Sequence, residues 1–154
     1  MKKILFLMLV IFSVSHSDDY SVVKEIFSIN PDLEWDTSGV AVFEKGRIVS
    51  LNLNNRKIGY YGIKKLPASI SKLDKLEKLT VNDNDLTELP ETITQLVSLR
   101  HLEINSNSVF DIPDSIGKLK SLRHLEMINN NISQYKMKKS FFLITTFYTI
   151  TLFI

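Results

Sequence analysis

Leu99-Arg100-His101-Leu102-Glu103-Ile104-Asn105-Ser106-Asn107-Ser108-Val109-Phe110-Asp111-Ile112-Pro113, running on to Ile116 and Leu119, decides the fold. The same pattern stands 23 residues earlier as Leu76, Leu79, Val81, Asn84, Leu86, Leu89, Pro90, Ile93 and Leu96. It begins again 23 residues later as Leu122, Leu125, Met127, Asn130 and Ile132. Self-similarity at a fixed period of this size marks a stack of repeats. From His101 to Ile104 polar and apolar residues alternate, the period-two signature of a strand with one buried face. A helix would scatter those side chains around its circumference. One such coil is too short to bury its own apolar face, whereas stacked copies bury it against each other. The second half of each repeat spaces its apolar residues at three and four, which predicts a short helical turn. Pro90 and Pro113 fit near the start of that turn, where a missing N–H costs little.

The spacing L-x-x-L-x-L-x-x-N-x-L followed by L-P-x-x-I-x-x-L resembles the leucine-rich repeat family. That resemblance implies an α/β solenoid of about four coils, with parallel strands on its concave side. It also implies that Asn84, Asn107 and Asn130 form the family's asparagine ladder, whose amides satisfy turn backbone groups that would otherwise be buried unpaired.

Working outward from the repeats, residues 48–132 form the repeat domain, its first coil (48–75) irregular and five residues longer than its neighbours. There the ladder position holds Arg56 with Asn55 beside it, and Gly59-Tyr60-Tyr61-Gly62 reads as an exposed loop. Residues 18–47 read as an N-terminal cap. Val22, Val23, Ile26, Phe27 and Ile29 share one face of a helix over Asp18–Asn30, with Asp18 or Asp19 able to cap its start. Val40–Phe43 and Ile48–Leu53 can pair as a hairpin. Trp35 followed by Gly39-Val40 resembles the N-terminal cap of plant-type secreted leucine-rich repeat proteins. The paired cysteines of that cap are missing, which fits a disulfide-free bacterial relative better than a plant receptor.

Residues 1–17 read as a signal peptide. Lys2 and Lys3 precede the apolar run Ile4–Phe12, and small residues before Asp18 offer cleavage positions. That run is well short of the roughly 20 residues a membrane span requires. After Ile132 the pattern stops. Residues 133–154 form a tail, basic at Lys136, Lys138 and Lys139 and then apolar, that resembles no repeat cap. Its Thr, Ile, Phe and Tyr content favours strand over helix, so it predicts no membrane span and can cover part of the open end of the stack.

Charge narrows the function. Without Lys2 and Lys3 the 19 basic residues become 17, equal to the 17 acidic ones. A neutral balance gives no support to nucleic-acid binding through bulk electrostatics. There is no cysteine, which excludes thiol nucleophiles, thiolate metal sites and disulfides. No nucleophile elbow, zinc-protease motif, P-loop or dinucleotide fingerprint is present, so neither an enzyme nor a cofactor is expected.

Alternation points one set of strand residues away from the core, in rows. These are Ser50, Lys78, His101, His124; Asn52, Thr80, Glu103, Glu126; and Asn54, Asn82, Asn105, Ile128. The expected partner-binding residues are Lys78, Thr80, Asn82, Arg100, His101, Glu103, Asn105, Arg123, His124 and Glu126. The Asn54, Asn82, Asn105 row suits either a ligand or a ladder that serves only its own face. His101, His124, Glu103 and Glu126 are also a candidate divalent-metal set, weakened because parallel side chains tend to point the same way. Asn131-Ile132-Ser133 is an N-glycosylation sequon, meaningful only in a eukaryotic secretory pathway. The expected function is a secreted or cell-envelope protein-binding module working through its concave face. The rivals are a surface protein attached to a membrane by the apolar tail, a truncated repeat fragment, and a metal-binding module.

Overall fold

The computed structural model describes residues 17–31, 40–55 and 62–132, and the strand at 149–151. All of the expected signal peptide (residues 1–17) except Ser17, together with Trp35, Gly39, Arg56, the Tyr60-Tyr61 pair and most of the tail, lies outside them.

Helix α1 spans Ser17–Ile29, strand β1 Ala41–Glu44 and strand β2 Arg47–Asn52. Strands β3 (Lys78–Thr80), β4 (His101–Glu103) and β5 (His124–Glu126) follow at the repeat spacing, and β6 covers Thr149–Thr151. The six strands form one sheet in chain order. β1 and β2 pair antiparallel across Lys45-Gly46, both with positive φ (49° and 80°), the primed turn whose twist matches a hairpin. Every later pairing is parallel. The register aligns Leu79, Leu102 and Leu125 at the 23-residue period, and continues the line to Leu51, 28 residues before Leu79, and to Ile150, 25 residues after Leu125.

Each return path carries a 3-10 turn: Ala68–Lys72, Glu91–Gln95 and Asp114–Lys118. Pro67, Pro90 and Pro113 stand immediately before these turns, one position ahead of the first helical residue, Pro67 and Pro90 in extended backbone. The carbonyl of each proline accepts the N–H of the buried isoleucine three residues on (Ile70, Ile93, Ile116). Those isoleucines and the strand leucines form one continuous core running from Val22 to Met127.

Asparagines hold the turns between coils. Asn84 Oδ1 accepts the Ile63 N–H, Asn107 Oδ1 the Leu86 N–H and Asn130 Oδ1 the Val109 N–H. Their amide groups donate to backbone carbonyls of their own coil and of the coil before, such as Leu53 O, Val81 O and Ile104 O. The residue before each ladder asparagine (Asp83, Ser106, Asn129) takes a positive φ, which short polar side chains tolerate.

At the N-terminal end, α1 buries Val22, Val23 and Ile26, while Ile29 is 42 % exposed and so belongs to the outer face. Asp19 does not serve as a free helix cap. It is 1 % exposed, accepts Arg47 Nη2 at 2.9 Å, and accepts the Ile48 N–H at 2.8 Å. Arg47 also reaches Asp74 at 2.7 Å, tying helix, hairpin and first coil together. Asn30 extends the ladder logic to the cap, because its amide accepts the Lys64 N–H and donates to Lys65 O. Gly62 is buried rather than exposed. A Cβ there would lie 2.7 Å from Asn84 Cα, so only glycine allows the two coils to approach.

Candidate binding face

The outward rows assemble as alternation requires. Ser50, Lys78, His101 and His124 are register partners along one line, and Asn52, Thr80, Glu103 and Glu126 along the next. Across these rows runs a linked set of polar contacts. Lys78 Nζ meets Glu103 Oε1 at 2.9 Å, and Asn82 Nδ2 donates to Glu103 Oε2 at 3.3 Å. One coil on, His124 Nε2 meets Glu126 Oε1 at 2.9 Å, and Asn105 Nδ2 donates to Glu126 Oε2 at 2.8 Å. Burial alone would raise the Glu103 pKa. The hydrogen bonds from Lys78 and Asn82, with the charges of Lys78 and His124, outweigh it and hold the carboxyl below its ordinary range.

The asparagine row is a second ladder. Asn54 Oδ1 accepts the Asn82 N–H, Asn82 Oδ1 the Asn105 N–H, and Asn105 Oδ1 the Ile128 N–H, at 2.7 to 2.8 Å. These amides therefore continue the sheet's hydrogen bonding, and those of Asn82 and Asn105 aim their Nδ2 at the carboxylates of Glu103 and Glu126. Thr80 departs from its expected role. It is 4 % exposed and its hydroxyl donates to Asn52 Oδ1, so its row neighbours cover it and it offers a ligand almost nothing.

The imidazoles of His101 and His124 lie 5.6 Å apart between centroids, tilted by 43°. His124 is engaged with Glu126, and Glu103 with Lys78. Among the described residues no group of three or more His, Asp or Glu side chains is placed to hold a metal. Of the four candidate ligands the structure thus brings His124 and Glu126 into contact, while Glu103 pairs with Lys78 and the two imidazoles stand 5.6 Å apart. Arg100 is exposed with Nε 3.7 Å from Glu77, and Arg123 donates through Nη1 to Lys120 O and Leu122 O. Lys118 and Lys120, exposed beside Arg123, were not singled out from the sequence, although 117–125 is a stretch with three basic residues and no acidic one. No helix among the described residues is long and apolar enough to cross a membrane.

The family profile described as leucine-rich repeat region matches residues 49–143. The chain belongs to the leucine-rich repeat family. No curated protein sequence matches it. Among solved structures, a leucine-rich repeat protein of Leptospira interrogans is 34 % identical with a TM-score of 0.55, over 57 % of this chain and 22 % of that one. This leucine-rich repeat chain thus spans about a fifth of the length of that relative. The ectodomain of the receptor kinase SOBIR1 from Arabidopsis thaliana is 21 % identical (TM-score 0.59), over 75 % of this chain and 68 % of that one. A chain of the BIR3–SERK2 complex from the same plant is 21 % identical (TM-score 0.54), over 86 % and 80 %. The two plant likenesses show the shared solenoid fold.

Proposed function

We propose that the chain is an exported, non-catalytic protein-binding module that engages its ligand with the concave strand face. The observation that carries the reading is the register of β2 to β5, which lines outward side chains into continuous rows over a fully buried leucine core. Stacked repeats present such a surface as their characteristic binding site. The likeness to a chain solved within the BIR3–SERK2 complex supports a protein partner. Likeness to a receptor-kinase ectodomain, together with the Lys2-Lys3 and Ile4–Phe12 pattern, supports export to the cell exterior or envelope. The small residues that offer cleavage positions precede Asp19, the first buried side chain among the described residues. The pairing of Thr149–Thr151 with β5 supports a tail that adds to the sheet rather than anchoring the chain.

The faces are tested by paired substitutions. With a captured partner, His101→Ala weakens binding, and Glu88→Ala, exposed outside the strands, leaves it unchanged. The reverse order rejects the concave face. N-terminal sequencing of exported protein tests the rest: it begins near Asp18 or at His16, and a cytoplasmic chain beginning at Met1 rejects export.

A further inference from the structure

Polar groups on the concave face divide into those the protein has already satisfied and those left for a ligand. Both oxygens of Glu103 are engaged, by Lys78 and Asn82, and both oxygens of Glu126, by His124 and Asn105. The carboxylates are thus spoken for, and so is the Lys78 ammonium. What remains are donors. The His101 imidazole is exposed and makes no hydrogen bond among the described residues, its backbone N–H alone donating to Glu77 O. Arg100 lies 3.7 Å from Glu77, beyond hydrogen-bond length. Arg123 spends only Nη1, on two backbone carbonyls that hold the guanidinium in place.

These donors share the edge at which the chain enters the strands. In 95–102 and 117–125 the basic residues are Arg100, Lys118, Lys120 and Arg123, and no acidic residue is present. The edge at which the chain leaves the strands is opposite in sign. Stretches 81–91 and 104–114 carry Asp83, Asp85, Glu88, Glu91, Asp111 and Asp114 and no basic residue. Charge is therefore sorted across the sheet at the third coil, whereas the entering edge of the second coil mixes Asp74 and Glu77 with Lys72, Lys75 and Lys78, and the leaving edge of the first carries Lys64 and Lys65.

We infer that the strand-entering edge of the third and fourth coils, with Arg100, His101, Lys120 and Arg123 as its donors, takes an acidic polypeptide segment of the partner. This deepens the concave-face reading and rests on it. Arginine offers paired N–H groups that match a carboxylate, and Arg100 and Arg123 repeat at the coil spacing of about 4.8 Å. Alternate side chains of an extended acidic segment stand about 6.6 Å apart, close enough to the coil spacing of about 4.8 Å for long, flexible arginines on successive coils to reach them, while the acidic far edge repels the segment and fixes its side. Exposed charge pairs contribute little individually and are screened by salt, so the binding is modest and salt-sensitive.

The test uses the full chain and a fluorescent hexaglutamate peptide at low salt, with hexalysine and oligothymidylate as comparators. Hexaglutamate binds best, and binding falls away at high salt. Lys120→Glu, whose side chain makes no described contact, weakens it by about fivefold, and Arg123→Glu does the same. Lys24→Glu, an equal charge change on α1, leaves it within about twofold. Equal losses from Lys24→Glu and Lys120→Glu, or equally tight binding of oligothymidylate, overturn the inference as general attraction to anions. Amide shifts separate it from the reading beneath it. Shifts along the strand rows with hexalysine but not hexaglutamate reject the acidic partner and leave the face standing. Hexaglutamate shifts confined to Lys64 and Lys65 reject both.

Discussion

Asn107→Ala tests how the coils are held together. The Asn107 side chain makes four hydrogen bonds: it accepts the Leu86 N–H and donates to Val81 O, Ile104 O and Asn105 O. Two of those carbonyls keep another donor, since Ile104 O also receives Asn130 Nδ2 and Asn105 O the Asp83 N–H. Truncation therefore strands the Leu86 N–H and the Val81 carbonyl. At about 1–3 kcal/mol for each buried unsatisfied group, the cost is about 2–6 kcal/mol. That is a large share of the roughly 5–15 kcal/mol that holds a domain folded. Asn105→Ala removes an acceptor from the Ile128 N–H and a donor from Glu126 at half-buried positions that water reaches, and costs about 1 kcal/mol. Urea denaturation of both variants compares them directly, through midpoint shifts at unchanged slope. Equal costs, or a greater cost for Asn105→Ala, refute the assignment of Asn107 as the buried tie between coils.

Other substitutions probe the remaining supports. Leu102→Ala, fully buried, costs about 2–5 kcal/mol, whereas Val97→Ala, 65 % exposed, costs less than about 0.5 kcal/mol in the same urea assay. Asp19→Ala strands the Ile48 N–H and takes from Arg47 its buried partner, leaving it Asp74, and costs about 2–4 kcal/mol, discounted from a fully buried pair because Arg47 keeps Asp74 and solvent contact; thermal unfolding reads it. Glu103 has a depressed folded pKa, so its contribution to stability is complete above the unfolded carboxyl pKa of about 4.3 and is lost as pH falls through the lower folded value. Glu103→Gln accordingly flattens the stability curve below about pH 4.3 and leaves its slope near neutrality unchanged.

Much of this was legible in the sequence because the repeat writes burial directly into spacing. Leu76, Leu79, Leu99 and Leu102 had to face inward, and the 23-residue offset had to place His101 beside His124. Asn84, Asn107 and Asn130 could be read as ladder residues from their position alone. Tertiary contacts hid the rest. Asn30 stands before a proline and ends α1, donating to Ile26 O as a helix stop does, yet its other side-chain partners lie 34 and 35 residues away. Asp19 reads as a helix cap and instead finds Arg47, 28 residues on. Alternation places Thr80 on the outer face, but alternation is silent on whether neighbouring side chains cover it. The engagement of Glu103 and Glu126 depends on rotamers contributed by three strands, which no local pattern encodes. The charge sorting across the sheet was present in the sequence but emerges only once each stretch is assigned to an edge.

Register is the claim on which both the core and the binding face depend, and methyl–methyl nuclear Overhauser effects measure it directly. The account predicts contacts linking Leu79 to Leu102 and Leu102 to Leu125, with none between Leu79 and Leu125 two coils apart. Contacts that skip a coil, or that pair Leu102 with residues offset from Leu125, would contradict the stacking and dissolve the rows that form the face.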